Sequence, residues 1–447
     1  MERIQFQQQL LKQATAQGLS DAEVYAEFGS AIRIKVNDNK LDTYETSEEG
    51  GVSFRARYQE KMGYAYTEKI EQDSIQFLIE AVKKNASILE IEDTATSFAG
   101  SEHYAKANFY HASLEQVTPP MMIETLQRVE QQILAIDTRI KRVSYCQMQL
   151  FTGERHLLNA KGLELHEKSN GLIIFANAVA MANGETKTGG EVAIIEDLQA
   201  FTSEKFAERV AMQAITSLGG QSIPSAKYPV IMENEAATSL LNAFTGAFSA
   251  EEAQKGMSRL QGKVGQKIAT NKLTIIDNPR YPTSLNKTTF DAEGVATQPL
   301  AIIKEGVLQT LLHNRRTAQE EGIETTGHAF KPSYKGTIAI APHMFVVERG
   351  SATKNQLIQG MTKGVMITNL AGLHAGANTI SGDFSVAASG FYIEDGKIIG
   401  PTKQMTIASN FFDMLNNIQE VADDTYNGFG RVASPSLQIA PIRVTVE

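Results

Sequence analysis

Apolar residues recur at helical spacing from Phe6 to Gln17, and Gly18 supplies a stop. Beyond it Val24, Ala26 and Phe28 alternate with polar neighbours, as do Ile32, Ile34 and Val36, so the period has switched from helix to strand. Asn37-Asp38-Asn39 is turn chemistry, after which Val52, Phe54, Ala56 and Tyr58 define one strand face opposite Ser53, Arg55 and Arg57. Asp73 is placed to cap a helix striped by Ile75, Leu78, Ile79 and Val82. The same order then recurs. Thr118-Pro119 starts a helix carrying Met122, Leu126, Val129 and Ile133, strand-like segments span 143–151, 154–167 and 171–183, and a further helix is striped by Phe206, Val210, Ala214 and Leu218. The repeat is one of element order and not of residues.

From Lys227 the pattern shifts to short strands at 229–232, 273–276, 337–341, 364–368 and 390–393, separated by Gly-rich turns, with helices near 235–248 and 411–420. The expectation is an α+β chain with duplicated N-terminal α/β units built on antiparallel sheets, followed by a larger β-rich C-terminal domain. The units fall at 1–90 and 119–222, a weakly periodic linker at 91–118 joins them, and the C-terminal domain covers 223–447. A length of 447 residues suits this division.

Composition then excludes several classes. Hydrophobic residues make up 42% and charged residues 21%, which is enough apolar material for packed cores and unlike disordered, collagen-like or coiled-coil chains. Forty-two Lys and Arg against 51 Asp and Glu give a net charge of −9 without a block of like charge, which disfavours a direct grip on nucleic acid or an anionic membrane. The lone Cys146 sits in an apolar stretch and reads as a buried thiol in a reducing compartment. The N-terminal stretch lacks a signal-peptide core, and the longest nearly apolar run, 172–182, is too short to span a bilayer; a cytoplasmic protein is expected.

Candidate chemistry is sparse. The histidines are His103, His111, His156, His166, His313, His328, His343 and His374; no two lie three to five residues apart, so no local helical zinc pair is expected. The stretch 256–264 has the wrong glycine spacing for a phosphate loop and Val264 where a hydroxyl is needed. Gly428-Phe429-Gly430 lacks the third glycine of a dinucleotide fingerprint, and no Gly-x-Ser-x-Gly elbow occurs. The richest segment is 372–385. There Gly372, Gly376 and Gly382 permit close backbone approach while Asn378, Asp383 and Ser385 offer hydrogen bonds, a surface on which an extended peptide substrate can lie. The alternative, favoured by sequence physics alone, is a long turn whose Asn and Asp bond their own backbone.

Taken in order, Phe290-Asp-Ala-Glu-Gly-Val-Ala-Thr297, Ile303-Lys-Glu-Gly-Val-Leu308, Thr326-Gly327, Gly382-Asp-Phe-Ser385, Gly390, Ile393-Glu-Asp-Gly396 and Pro435-Ser436 resemble the TldD/PmbA family, long labelled modulators of DNA gyrase. In that family the TldD-like branch carries His-Glu-x-x-x-His plus a C-terminal Cys as a peptidase metal site, and the PmbA-like or TldE branch lacks these ligands. The matching stretch here is Asn234-Glu235-Ala-Ala-Thr-Ser239, with both His positions replaced. The Cys-bearing loop corresponds to Asn427-Gly428-Phe429-Gly430, without Cys. The resemblance implies a non-catalytic PmbA/TldE-like subunit with no metal or cofactor of its own. Its implied partner is a zinc-bearing TldD-like metallopeptidase subunit and the implied substrate an unfolded or modified peptide, while a homodimer in the partner's absence is an open alternative. Asn234 then caps a helix, Glu235 is a first-turn acid, and Leu240, Leu241, Phe244 and Phe248 form its buried stripe. The segment Phe290-Asp-Ala-Glu-Gly294 departs from the commoner Asp-Asp-Glu-Gly, leaving the roles of Asp291 and Glu293 open. Two other readings stand beside this one: a self-sufficient metallohydrolase drawing ligands from His313, His328 and His374, and a gyrase-linked binding regulator.

Overall fold

The computed structural model describes residues 2–89, 96–427 and 430–446. The first unit is α1 (Arg3–Ala16), β1 (Ser20–Asn37), β2 (Lys40–Tyr58), β3 (Lys61–Thr67) and α2 (Gln72–Ser87). The second repeats the order with α3 (Pro119–Ile136), β4 (Ile140–Asn159), β5 (Glu164–Ala182), β6 (Glu185–Ile195) and α4 (Ser203–Thr216). The two units are not separate bodies, because β1 pairs antiparallel with β4 and all six strands form one sheet in the order β3-β2-β1-β4-β5-β6. The apolar stripes face that sheet as the periodicity requires: Phe6, Leu10, Ile75, Leu78, Ile79 and Val82 pack on β1 and β2, while Met122, Leu126, Val129, Phe206 and Val210 pack on β4 and β5. Cys146 is buried in the second cluster.

Several local expectations are corrected. The segment 154–167 is not one strand; it is the end of β4, a turn at 160–163 and the start of β5. Asn159 closes that turn by accepting from the N–H groups of Lys161 and Leu163, and Gly162 takes a positive φ of 86°. Leu157 and Leu158 are both buried, so the alternation that marks a one-sided strand is lost there. Asp73 lies inside the first turn of α2, whose N-cap is Glu71. Of the 91–118 linker, residues 96–118 are strapped to the body. Ser97 N–H donates to Asp21, Asn159 Nδ2 donates to the Phe98 carbonyl, and Tyr104 Oη donates to the Gly294 carbonyl of the C-terminal domain.

The C-terminal domain begins with β7 (Ala226–Met232) and α5 (Asn234–Ala243). Strand Lys363–Ala371 pairs with β7, β7 with Leu437–Val446, that strand with Met405–Asn410, and that one with Asp383–Glu394, which returns to pair with Lys363–Ala371. The ladder therefore closes into a five-stranded barrel, which removes the free edges of an open sheet. A second sheet includes Ile275–Asp277, Leu300–Lys304, Phe345–Val347 and Val432–Ser434, and Phe244, Phe248, Phe345 and Phe411 belong to the apolar core that spans both. The expected helix at 235–248 is α5 followed by a 3-10 turn, Thr245–Phe248. The one at 411–420 is a short helix, Phe411–Asn416, that gives way to strand Ile418–Val421. Among the described residues no helix is long and apolar enough to cross a membrane.

Candidate functional site

The barrel strand β7 delivers the chain directly into α5, so Asn234 and Glu235 stand where the strand ends and the first helical N–H groups point outward. The helix starts one residue before expectation, with Glu233 as N-cap. Asn234 does not cap through the usual N2 or N3 bond. Its Oδ1 accepts from Glu235 N–H at 2.8 Å, while Nδ2 donates to the Asp424 carbonyl at 2.9 Å and to Asp424 Oδ2 at 3.3 Å. Asp424 is held in turn by Ser436, whose N–H and hydroxyl donate at 2.9 and 2.8 Å, and Ser436 Oγ accepts from Asn234 N–H. Both polar ends of Asn234 are therefore committed to protein partners, and Pro435-Ser436 is explained as the other half of that clasp. Ser239 lies half-buried on the same helix four residues past Glu235, and Leu240, Leu241, Phe244 and Phe248 are buried as expected.

Glu235 opens into a cleft of about 290 Å³ between α5 and the N-terminal sheet, lined also by Tyr145, Asn177, Glu191 and Tyr426. Burial, with the charges of Glu191 and Glu233, pushes the Glu235 carboxyl up to about 7. Glu191 is likewise raised by burial, although Arg209 lies 3.4 Å away, and burial with the charges of Glu235 and Glu191 raises Tyr426. The cleft thus holds an acid that exchanges its proton near neutrality, which is the protonation behaviour of a general acid or base. Glu191 was not foreseen, because it sits on β6, a strand the periodicity missed. The signal was Gly189-Gly190 before it: a Cβ on Gly189 would lie 2.2 Å from the backbone of α4, so this strand needs glycine to approach the helix.

The other sequence candidates are dispersed. In 372–385, Asn378 Oδ1 accepts from Ile380 and Ser381 N–H, its own N–H donates to the Asp383 carbonyl, and Asp383 is held by Ser381 and Asn410. Gly372 is in the left-handed region, Gly376 lies against the Ser385 carbonyl and Gly382 against Phe412, while Ser385 is exposed. The segment is largely a turn satisfied by its own residues, and its short helix Leu373–Gly376 packs against α5. The Cys-equivalent loop position at 427–430 includes Gly428 and Phe429, which lie outside the described residues.

His313, His328 and His374 are not gathered into one ligand set. His374 is exposed on the short helix, and His313 faces Glu321 at 3.9 Å. His328 instead joins Asp277 and His343 in a core triad, with His328 Nε2 3.0 Å from Asp277 Oδ2 and the two imidazoles 4.9 Å apart. Asp277 Oδ1 accepts from Met344 N–H, His328 Nδ1 meets Thr326 Oγ, and His343 Nε2 meets the Gly327 carbonyl. Thr326-Gly327 thereby gains a physical role as the collar of this triad.

Asp291 and Glu293 also acquire roles. Asp291 accepts from Glu293, Val295 and Ala329 N–H groups and so shapes the turn at Gly294. Glu293 accepts from Arg315 N–H and faces Arg55 of β2 at 3.8 Å, tying the C-terminal domain to the N-terminal sheet.

The fold joins a closed barrel, with Glu235 on the helix that leaves it, to a six-stranded sheet of duplicated units across a shared cleft. Known proteins match this arrangement throughout the chain. Models of the PmbA/TldA metallopeptidase match as domain 1 at residues 22–86, the central domain at 112–218 and the C-terminal domain at 225–446. The chain belongs to the PmbA/TldD family. It is 27% identical to metalloprotease PmbA of Escherichia coli O157:H7 over 98% of both chains, and 26% identical to a TldD homologue of Haemophilus influenzae over 83% of this chain and 79% of that one. Among solved structures, a Thermotoga maritima protein described as a DNA gyrase modulator superposes with TM-score 0.92 at 28% identity, covering 99% of this chain and 100% of that one. TldE of Thermococcus kodakarensis shares the fold at TM-score 0.89 and 23% identity, covering 98% and 100%.

Proposed function

We propose that this chain is the PmbA/TldE-like, non-catalytic subunit of a two-subunit metallopeptidase that acts on unfolded or modified peptides. The observation that carries this reading is Asn234: where the TldD-like motif has its first His, both polar ends of the side chain are engaged by Asp424 and by the backbone. Ser239 at the second His position adds no imidazole, and one glutamate cannot hold a catalytic zinc, which takes about three protein ligands. In this reading the partner supplies the zinc, and this chain completes a chamber that presents an extended peptide to it.

The reading is tested by assaying cleavage of an unfolded peptide by the purified chain and by its complex with a TldD-like subunit. Chelator-sensitive cleavage by the complex alone is expected; the same cleavage by the isolated chain would overturn it.

Glu235 gives a second, sharper check. Its penalty is absent below the ordinary carboxylate range, grows as pH rises towards 7, and is constant above that. Allowing for its partial exposure, Glu235→Gln is expected to stabilise the chain by about 1–2 kcal/mol at pH 8 and negligibly at pH 4, while leaving the activity of the complex unchanged. Loss of peptide cleavage in that variant would instead assign Glu235 a direct part in catalysis.

A further inference from the structure

The missed hairpin turn conceals a histidine pair. With the turn at 160–163, His156 on β4 stands directly opposite His166 on β5, and their ring centroids are 4.3 Å apart. No helical spacing rule detects two histidines ten residues apart, but an antiparallel register places their Cβ atoms within about 4.5–5.5 Å. Glu154, two residues before His156, shares that face of the sheet. Its Oε1 lies 2.8 Å from His166 Nε2 and 3.0 Å from His156 Nε2. The three ligand atoms all fall within 4.8 Å of one another.

His156 Nε2 is buried and faces the cluster, 3.0 Å from Glu154 Oε1 but outside good hydrogen-bond geometry. The core triad of Asp277, His328 and His343 differs here: its carboxylate and both rings already have hydrogen-bond partners in the collar around them.

We propose that Glu154, His156 and His166 form a binding site for one divalent cation of the zinc type, with solvent completing the coordination on the side where His166 is 44% exposed. Two imidazoles and a carboxylate are a sufficient donor set for Zn²⁺, and contacts of 2.8 and 3.0 Å need open by only a few tenths of an ångström to span neighbouring positions around an ion with bonds of about 2.0–2.2 Å. The ligands sit on two long, mutually paired strands, and β4 is held on its other side by β1, so the geometry is set by the sheet before any ion arrives. Arg3 and Lys168 also approach Glu154, at 3.3 and 3.5 Å. Both are more than half exposed, and each can turn into solvent at small cost. The site lies at the turn end of the β4–β5 hairpin, where Arg3 of α1 reaches Glu154. The site uses no residue of α5 and stands or falls independently of the proposed peptidase role.

The experiment is titration of the tag-free full chain with Zn²⁺ against a chromophoric chelator, repeated with Co²⁺ as a spectroscopic probe. One equivalent of Zn²⁺ is expected, with the strong visible bands of four-coordinate Co²⁺. His166→Ala, at an exposed position with little effect on folding, and His156→Ala are each expected to weaken Zn²⁺ binding at least about 100-fold, beyond the usual loss from removing an outer partner of a ligand. His374→Ala, at an exposed histidine elsewhere, is the control and should leave the affinity unchanged. Full-strength binding by the His156→Ala/His166→Ala double variant would place the ion elsewhere, and no binding by the wild-type chain at micromolar Zn²⁺ would abolish the site; either result overturns the proposal.

Discussion

Replacing Arg55 with Ala is expected to cost about 3–5 kcal/mol of stability, because it leaves charges buried without their counterion. Arg55, Glu23 and Glu293 are 8%, 2% and 2% exposed. The guanidinium donates to Glu23 Oε1 at 2.8 Å and to Tyr64 Oη at 3.4 Å, and faces Glu293 Oε1 at 3.8 Å. Burial alone would weaken its charge, yet the carboxylates of Glu23 and Glu293 raise its affinity for the proton. Its removal strands two carboxylates at the seam between β2 and the C-terminal domain. Urea denaturation of the variant beside wild type measures the loss. The double variant Arg55→Met/Glu23→Gln should recover part of it, since one buried charge goes with its partner and the volume is kept. A cost below about 1 kcal/mol for Arg55→Ala would mean that the stranded carboxylates find water, and that the seam is not locked by this network.

The second large effect is acid sensitivity centred on His343. Its imidazole is buried, and burial pushes it down to about 4, against 6.5 in an unfolded chain. The folded state therefore binds this proton less readily than the unfolded state. Its contribution to stability is complete above pH 6.5 and drains away as pH falls towards 4, amounting to as much as about 3 kcal/mol. Asp277 adds to the loss only at lower pH: burial opposes its charge, but the hydrogen bond and charge of His328 hold its carboxyl below the usual 3.8. Unfolding free energies measured at pH 7.5 and pH 5 should show the decline in wild type and a shallower one in His343→Gln, whose amide can still donate to the Gly327 carbonyl. Equal slopes for the two proteins would remove His343 as the cause.

What the sequence disclosed depended on how local each interaction is. The stripes of α1 to α4 were readable because each helix buries one face against one sheet, and the turn at Asn37-Asp38-Asn39 because both Asp38 and Asn39 adopt the positive φ such residues tolerate. β6 was invisible, since its glycines serve approach to α4 and blur its alternation. The turn at 160–163 was read through because Leu157 and Leu158 are both buried, and with the turn went the pairing of His156 and His166. At the candidate site, Asn234, Glu235 and the apolar stripe of α5 were legible. Glu191, Asp424 and Ser436 were not assigned to it, because they join it from other elements across long stretches of chain. Asp291 and Glu293 could not be explained for the same reason: Ala329, Arg315 and Arg55 are brought to them by the fold.

The continuous six-stranded sheet also imposes an order on synthesis. β1 and β2 form a local hairpin as soon as they leave the ribosome, but the opposite edge of β1 must wait for residues more than a hundred positions later, from the Lys35–Gln147 pair to the Glu23–Asn159 pair. Through that interval a long strand edge stands open, with its N–H and C=O groups available to any extended segment. Capture of that edge by the same hairpin of a second nascent copy is the reaction that competes with folding, so translation speed between β2 and β4 bears directly on the yield of native protein.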